Sequence, residues 1–203
     1  MNWIKRMYEL KDKDFYSQSG EGFYLEYIFH HIGTKWREFA DIGGGDGFYL
    51  SNTRHLQNLG WEGIVLDLEN GIRVDADNVN EWLPGKYDLI SIDVDGNDYW
   101  ILEAILKRQK PSVIIAEFNP AFTDSRAIKY NPDHDWGGTD YYGFSFNAGE
   151  KLAAKHGYKI VFNVANMNLI MVREDHIDVE VLEVTFTQNK FFKESNRPDW
   201  VMI

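Results

Sequence analysis

Four short apolar runs, at residues 39–42, 64–66, 89–92 and 113–116, constrain this chain more than any other feature. Glycines, acids or helical stretches separate them. A strand exposed on one face alternates apolar with polar residues. Unbroken runs of this kind belong to strands covered on both faces, the condition of a parallel sheet flanked by helices. Phe23, Leu25, Ile28, Phe29 and Ile32 recur at helical spacing before Gly33 and predict an N-terminal helix over 20–33. Further helices are predicted over 50–59, 98–107 and 148–156, and one more brief strand at 72–74. Residues 158–164 and 169–172 are β-rich around a turn at 166–168, so the sheet should finish with an antiparallel hairpin. Residues 179–186 have the composition of an additional strand. The order of elements is that of a doubly wound α/β sheet, mostly parallel.

A length of 203 residues suits one domain spanning 1–203, with a C-terminal extension from 174. The chain has no cysteine, which removes disulfides, thiol nucleophiles and thiolate metal sites. Its 32 acidic against 21 basic side chains give a net charge of −11, which repels phosphate backbones and anionic lipid, so neither nucleic acid nor membrane is expected as a partner. No apolar stretch approaches the length of a membrane span, and the first residues lack a secretory apolar core. A cytoplasmic protein is the expectation.

The string Asp41-Ile42-Gly43-Gly44-Gly45-Asp46-Gly47 lies where the first strand feeds its helix, a place where backbone approaches ligands closely. Counted from Gly43, glycines fall at the first, third and fifth positions. A dinucleotide fingerprint wants the sixth, which is Phe48, and no Gly-Lys-Ser/Thr follows as a P-loop requires. Asp67 closes the second strand, where a carboxylate can accept both hydroxyls of a ribose.

The glycine string resembles the first motif of class I S-adenosylmethionine-dependent methyltransferases. Taken with Tyr16-Ser17-Gln18-Ser19-Gly20-Glu21, Gly60-Trp61-Glu62-Gly63, the run from Ser91 through Asp93, Asp95 and Asp98 to Trp100, and Glu117-Phe118-Asn119-Pro120, the chain is similar to the FkbM-type family from about residue 16 to 173. The resemblance implies a Rossmann-like methyltransferase sheet with S-adenosylmethionine as cofactor. It implies that Asp41, Gly43, Gly45, Asp67 and Asp93 line the cofactor site and that Gln18 and Glu21 close over it as part of a lid at 20–33. Asp75, Ala76 and Asn78 would reach the adenine. Gly22 departs from the pattern, which carries an acid there.

Asp93, Asp95 and Asp98 crowd the end of one buried strand, and like charges so close need a cation or hydrogen-bond donors. In a doubly wound sheet Asp93 and Asp95 should face Glu117 and Asn119 on the neighbouring strand. One reading makes these four the oxygen ligands of magnesium or manganese, as in catechol-type O-methyltransferases. The other makes the aspartates caps for a helix N-terminus. Loop 119–143 is long, acidic and aromatic, and is expected to cap an acceptor site or simply the sheet. Its His134 is one candidate for a catalytic base, with Asp95 and Glu117 as the others.

Three functions compete on these grounds. The first is methyl transfer to oxygen of a saccharide or small hydroxylated metabolite. The second is a catalytically silent cofactor-binding or interaction module, with the aromatic tail offering a surface for a homo-oligomer. The third is a magnesium-dependent phosphohydrolase using Asp93, since Asp-x-Asp-Gly also opens the haloacid dehalogenase-like phosphatases.

Overall fold

The computed structural model describes residues 2–10, 16–197 and 199–203. Each apolar run is a strand: β1 (Glu38–Ile42), β2 (Glu62–Leu66), β3 (Leu89–Ile92) and β4 (Val113–Glu117). They pair in parallel in the order β2-β1-β3-β4, and the antiparallel hairpin β6 (Tyr158–Val164) and β7 (Asn168–Arg173) completes a six-stranded sheet, β2-β1-β3-β4-β7-β6. The hairpin turn lies at 165–167, where Ala165 and Asn166 both adopt positive φ. A separate antiparallel pair joins β5 (Arg126–Ile128), inside the long loop, to β8 (Trp200–Met202) in the tail.

Alternate residues of each strand face opposite layers. Ala40, Ile90, Ile114 and Met171 pack under α4 (Val79–Trp82), α5 (Asp98–Leu106) and α6 (Phe146–His156). Phe39, Leu89, Ile115 and Ile170 pack against α1 (Trp3–Met7), α2 (Glu21–Ile32) and α3 (Arg54–Asn58). Both layers are apolar, which is why the strands read as continuous runs. Fully buried Asp88, just before β3, accepts backbone N–H bonds from Lys35, Trp36 and Arg37 at 2.7–3.2 Å and so fixes the turn from α2 into β1.

Three expected elements differ. The helix read over 50–59 is only Arg54–Asn58, because the Asp46 carboxylate takes the N–H groups of Phe48 and Tyr49 in a side-chain turn and Leu50 sits at φ 54°. No strand forms at 72–74. There the backbone is engaged by turns instead: Ile72 N–H donates to the Asp67 carbonyl, and the Asn78 amide donates to the Arg73 carbonyl. Residues 179–186 pair with no strand either. Val179 and Val181 pack in the layer of α1 and α2, whereas Val184 and Phe186 pack in the layer of α5 and α6, so the tail crosses the sheet at its β6 edge. Asn163 and Asn166 fasten it there, their amides donating to the carbonyls of Thr185 and Thr187. The tail's aromatic rings pack on this same chain, Phe186 against Phe118 and Phe146, and Trp200 against Phe122 and Tyr141.

Candidate active site

From β1 the chain steps to β2 on one side, and then to β3 on the other, so a crevice opens above the carboxyl ends of β1 and β3, the position at which doubly wound sheets bind ligands. A cleft of about 360 Å³ lies there. Its floor is the glycine turn. Gly43 has φ 83°, its N–H donates to the Leu66 carbonyl at 2.8 Å, and a β-carbon on it would coincide with the carbonyl oxygen of Asp93. Gly45, at φ 55°, donates its N–H to Asp67 Oδ2 at 2.9 Å, while Asp67 Oδ1 accepts the Glu69 N–H at 2.8 Å. Asp67 thus locks the turn to the end of β2 and still presents its carboxylate to the cleft.

Asp41 lies beneath this turn. It is 2 % exposed, accepts from Thr53 Oγ1 at 2.7 Å, and leaves no room for a side chain at Gly44, whose β-carbon would come 2.6 Å from its Cγ. Burial raises its pKa, against the hydrogen bonds from Thr53, Ser91 and Ser51. It shapes the turn from below and does not line the cleft. Buried Glu21 is likewise a brace, accepting from Ser19 N–H and from the Asn168 amide, and Gln18 also lies off the cleft. Asp75 and Asn78 cap each other at the start of α4, and neither they nor Ala76 line the cleft. The wall there is formed one turn earlier by Ile72, Arg73 and Val74.

At the opposite end Asp93, Asp95 and Glu117 bring carboxylate oxygens within 4.8 Å of one another. Adjacent strand ends place Asp93 and Glu117 side by side, and Asp95 reaches them from a backbone at φ 53°, a costly conformation for a residue with a side chain. Asp98 has the capping role, accepting N–H bonds from Val94 and Gly96 at 2.8 Å each. No Lys or Arg among the described residues forms an ion pair with any of the four. Burial first, then the neighbouring carboxylates, push Asp93 and Glu117 well above the ordinary range. Burial, Asp98 and Asp67 raise Asp95 to about 6. Glu117 Oε2 is buried without a hydrogen-bond partner.

Asn119 stands apart from this cluster. Its amide donates to the carbonyls of Asp140 and Tyr142, and its oxygen accepts the Ala121 N–H, so it organises the long loop rather than completing a ligand set. That loop brings His134 to the cleft, its ring laid against Gly96. Burial and Arg197 lower the His134 pKa, so the imidazole is neutral at pH 7. Tyr142, 3 % exposed, is kept a neutral phenol by burial and by Glu117, Asp95, Asp98 and Asp93.

Of the residues expected from sequence, the cleft gathers Gly43, Gly45, Asp67, Asp93, Asp95 and His134. Sequence reasoning missed Glu69, Arg73 and Asn97. The pairing of Glu69 with Asp67 in one acidic turn is a signal for the first, but nothing in sequence marks Arg73.

Neither the family models nor the curated proteins include a match to this chain. Solved structures of similar fold include an S-adenosylmethionine-dependent methyltransferase from Clostridium acetobutylicum (13 % identity, TM-score 0.48, covering 84 % of this chain and 96 % of that one). An O-methyltransferase family protein from Burkholderia thailandensis is 10 % identical with TM-score 0.40, over 74 % of this chain and 56 % of that one. The small RNA methyltransferase HEN1 is also 10 % identical with TM-score 0.40, over 91 % of this chain and 28 % of that one. No helix among the described residues is long and apolar enough to cross a membrane.

Proposed function

We propose that this protein is an S-adenosylmethionine-dependent methyltransferase of the FkbM-like type, acting on a hydroxyl of a saccharide or small metabolite. The observation that carries the reading is the charge of the cleft. Asp67, Glu69, Asp93 and Asp95 line it, and the one guanidinium among the described residues lining it, Arg73, is paired with Asp135 at 2.8 Å. Such a site repels the phosphates of ATP or NAD and favours a nucleoside whose far end is cationic. The glycine turn fits the same ligand, because it is bare backbone at the floor of the cleft with a carboxylate at its side.

S-adenosylmethionine supplies, when bound, an electrophilic methyl group on a sulfonium. Asp67 would hold the ribose, with Ile72 and Val74 as the apolar wall for the base. The enzyme's remaining work is to align the acceptor, exclude water and receive its proton. Asp95 suits the last role: it faces the cleft and is ionised above about pH 6. Burial first, and then the neighbouring carboxylates, push Glu117 well above its ordinary range, and the Nε2 of His134 is itself buried, which leaves both less suited.

A second reading gives Asp93, Asp95 and Glu117 a divalent cation, magnesium or manganese. The unpartnered Oε2 of Glu117 favours it. A phosphohydrolase is disfavoured because, among the described residues lining the cleft beside Asp93, the one guanidinium, Arg73, is already paired with Asp135. A silent binding module would keep the cleft but gain nothing from the strained Asp95. Calorimetry with S-adenosylhomocysteine, followed by transfer of labelled methyl to hydroxylated acceptors, tests the proposal. Absence of binding at millimolar ligand overturns it.

A further inference from the structure

The cleft has a roof. Residues 130–135 of the long loop pass over its mouth and are fastened on both banks. On the β3 side, Asn97 and Asn131 exchange hydrogen bonds, the Asn97 amide donating to the Asn131 carbonyl at 2.7 Å and the Asn131 N–H to Asn97 Oδ1 at 3.2 Å. On the β2 side, Arg73 reaches the His134 carbonyl at 3.3 Å and Asp135 Oδ1 at 2.8 Å, and the Tyr130 hydroxyl donates to Asp77 Oδ2 at 2.7 Å.

The two banks are not equivalent. The Asn97–Asn131 pair is partly buried and reciprocal, whereas Arg73 and Asp135 are exposed and Tyr130 meets Asp77 at the surface. Exposed ion pairs contribute little and are readily exchanged for water, so the β2 side is the weaker attachment. Just beyond Asp135, Trp136 is fixed by its Nε1–H bond to the Thr139 carbonyl at 2.7 Å and by the rings of Tyr142 and Phe192, and Gly137 and Gly138 follow in open space. The segment is thus held firmly on the β3 bank, by Asn97–Asn131 and by the His134 ring against Gly96, and on the β2 bank only by exposed contacts at Tyr130 and Asp135, so it can release the β2 bank while keeping the other.

We infer that residues 130–135 form a gate over the nucleoside cleft, pivoting on the β3 bank at Asn97–Asn131 and latched to the β2 bank by Arg73–Asp135 and Tyr130–Asp77. Opening the latch admits the nucleoside, and closing it sets the residence time. This rests on the nucleoside reading proposed above, and Asp135 and Tyr130 act on the ligand only through the loop, as positioning residues.

Stopped-flow dissociation of S-adenosylhomocysteine from the full chain tests it. Asp135→Asn and Tyr130→Phe should each speed dissociation about two- to five-fold, as loss of one exposed polar contact implies, and the double variant should speed it further. The exchanged pair Arg73→Asp with Asp135→Arg should restore slow hydrogen exchange at the His134 amide, which Asp135→Asn accelerates. Unchanged dissociation in both single variants and the double one, with wild type still binding, overturns the gate alone. If wild type binds no S-adenosylhomocysteine, the nucleoside reading falls. Hydrogen exchange at His134 then decides the latch by itself: acceleration in Asp135→Asn supports it, and no change overturns it.

Discussion

The carbonyl oxygen of Asp93 occupies the space in which a β-carbon on Gly43 would have to lie. This one contact couples the two halves of the site, because the floor of the cleft and the strand end that carries the acidic cluster can approach only while position 43 has no side chain. Gly43→Ala should therefore destabilise the protein by at least about 1–2 kcal/mol from the positive φ alone and abolish nucleoside binding. Urea denaturation and calorimetry on the same variant check both. A variant that binds normally would show that the turn does not form the floor.

Asp67→Ala removes the acceptor of the Gly45 N–H and the carboxylate offered to the ribose. Binding of S-adenosylhomocysteine should weaken by about 1.5–3 kcal/mol, roughly ten- to a hundredfold, as for a charge-assisted hydrogen bond. Asp75→Ala, which disturbs only the cap of α4, should leave affinity within about threefold of wild type. Equal losses in the two would move the adenine end of the site back to residues 75–78.

The acidic cluster makes stability depend on pH in an unusual direction. Asp93, Asp95 and Glu117 have folded pKa values above their unfolded ones, so the folded state binds their protons more tightly. The resulting stabilisation is complete below about pH 4 and is lost as pH rises through the folded values, about 6 for Asp95. Glu117→Gln should raise the melting temperature at pH 7.5, by about 2–4 °C for each kcal/mol of repulsion relieved, and change it little at pH 4.5. Millimolar manganese should produce the same rise in wild type but not in the variant if the cluster is a cation site.

Methyl transfer should follow the ionisation of Asp95. Its kcat should rise from pH 5 to 7 with an inflection near 6, and Asp95→Asn should lose that limb together with most of the rate. An unchanged profile in Asp95→Asn would pass the proton to another group.

Asp88 tests the scaffold apart from the site. Asp88→Ala leaves the N–H groups of Lys35, Trp36 and Arg37 without their acceptor and should cost on the order of 3 kcal/mol. Under native conditions nucleoside affinity should stay unchanged.

The parallel strands and both later helices were legible because the apolar runs of β1, β3 and β4 face two covered layers and each helix ends at a glycine or a change of period. The strand read at 72–74 failed for a local reason: the backbone carbonyl of Asp67 and the side-chain amide of Asn78 claim its backbone, and an apolar triplet does not reveal that. Tail residues 179–186 alternate as a strand would, yet they cross from one layer to the other, which no local pattern encodes. In the site, Gly43, Gly45 and Asp67 could be placed because spacing along one strand–turn–helix unit fixes them. Asp41, Glu21 and Asn119 spend their hydrogen bonds on the protein's own turns, and sequence does not tell whether a buried polar group faces a ligand or braces a turn. Arg73 and the 130–135 segment meet only through tertiary folding.

The crossing of the tail over β6 has a consequence for solubility in the crowded cell. The outermost strand, Tyr-Lys-Ile-Val-Phe-Asn-Val, is the kind of ribbon that recruits its own kind, and unpaired amides along it are a template for growth. Two asparagines and a diagonal strip of chain keep that template covered. A molecule clipped after Arg173 would lose its guard and begin to assemble edge to edge, visible as rising light scatter.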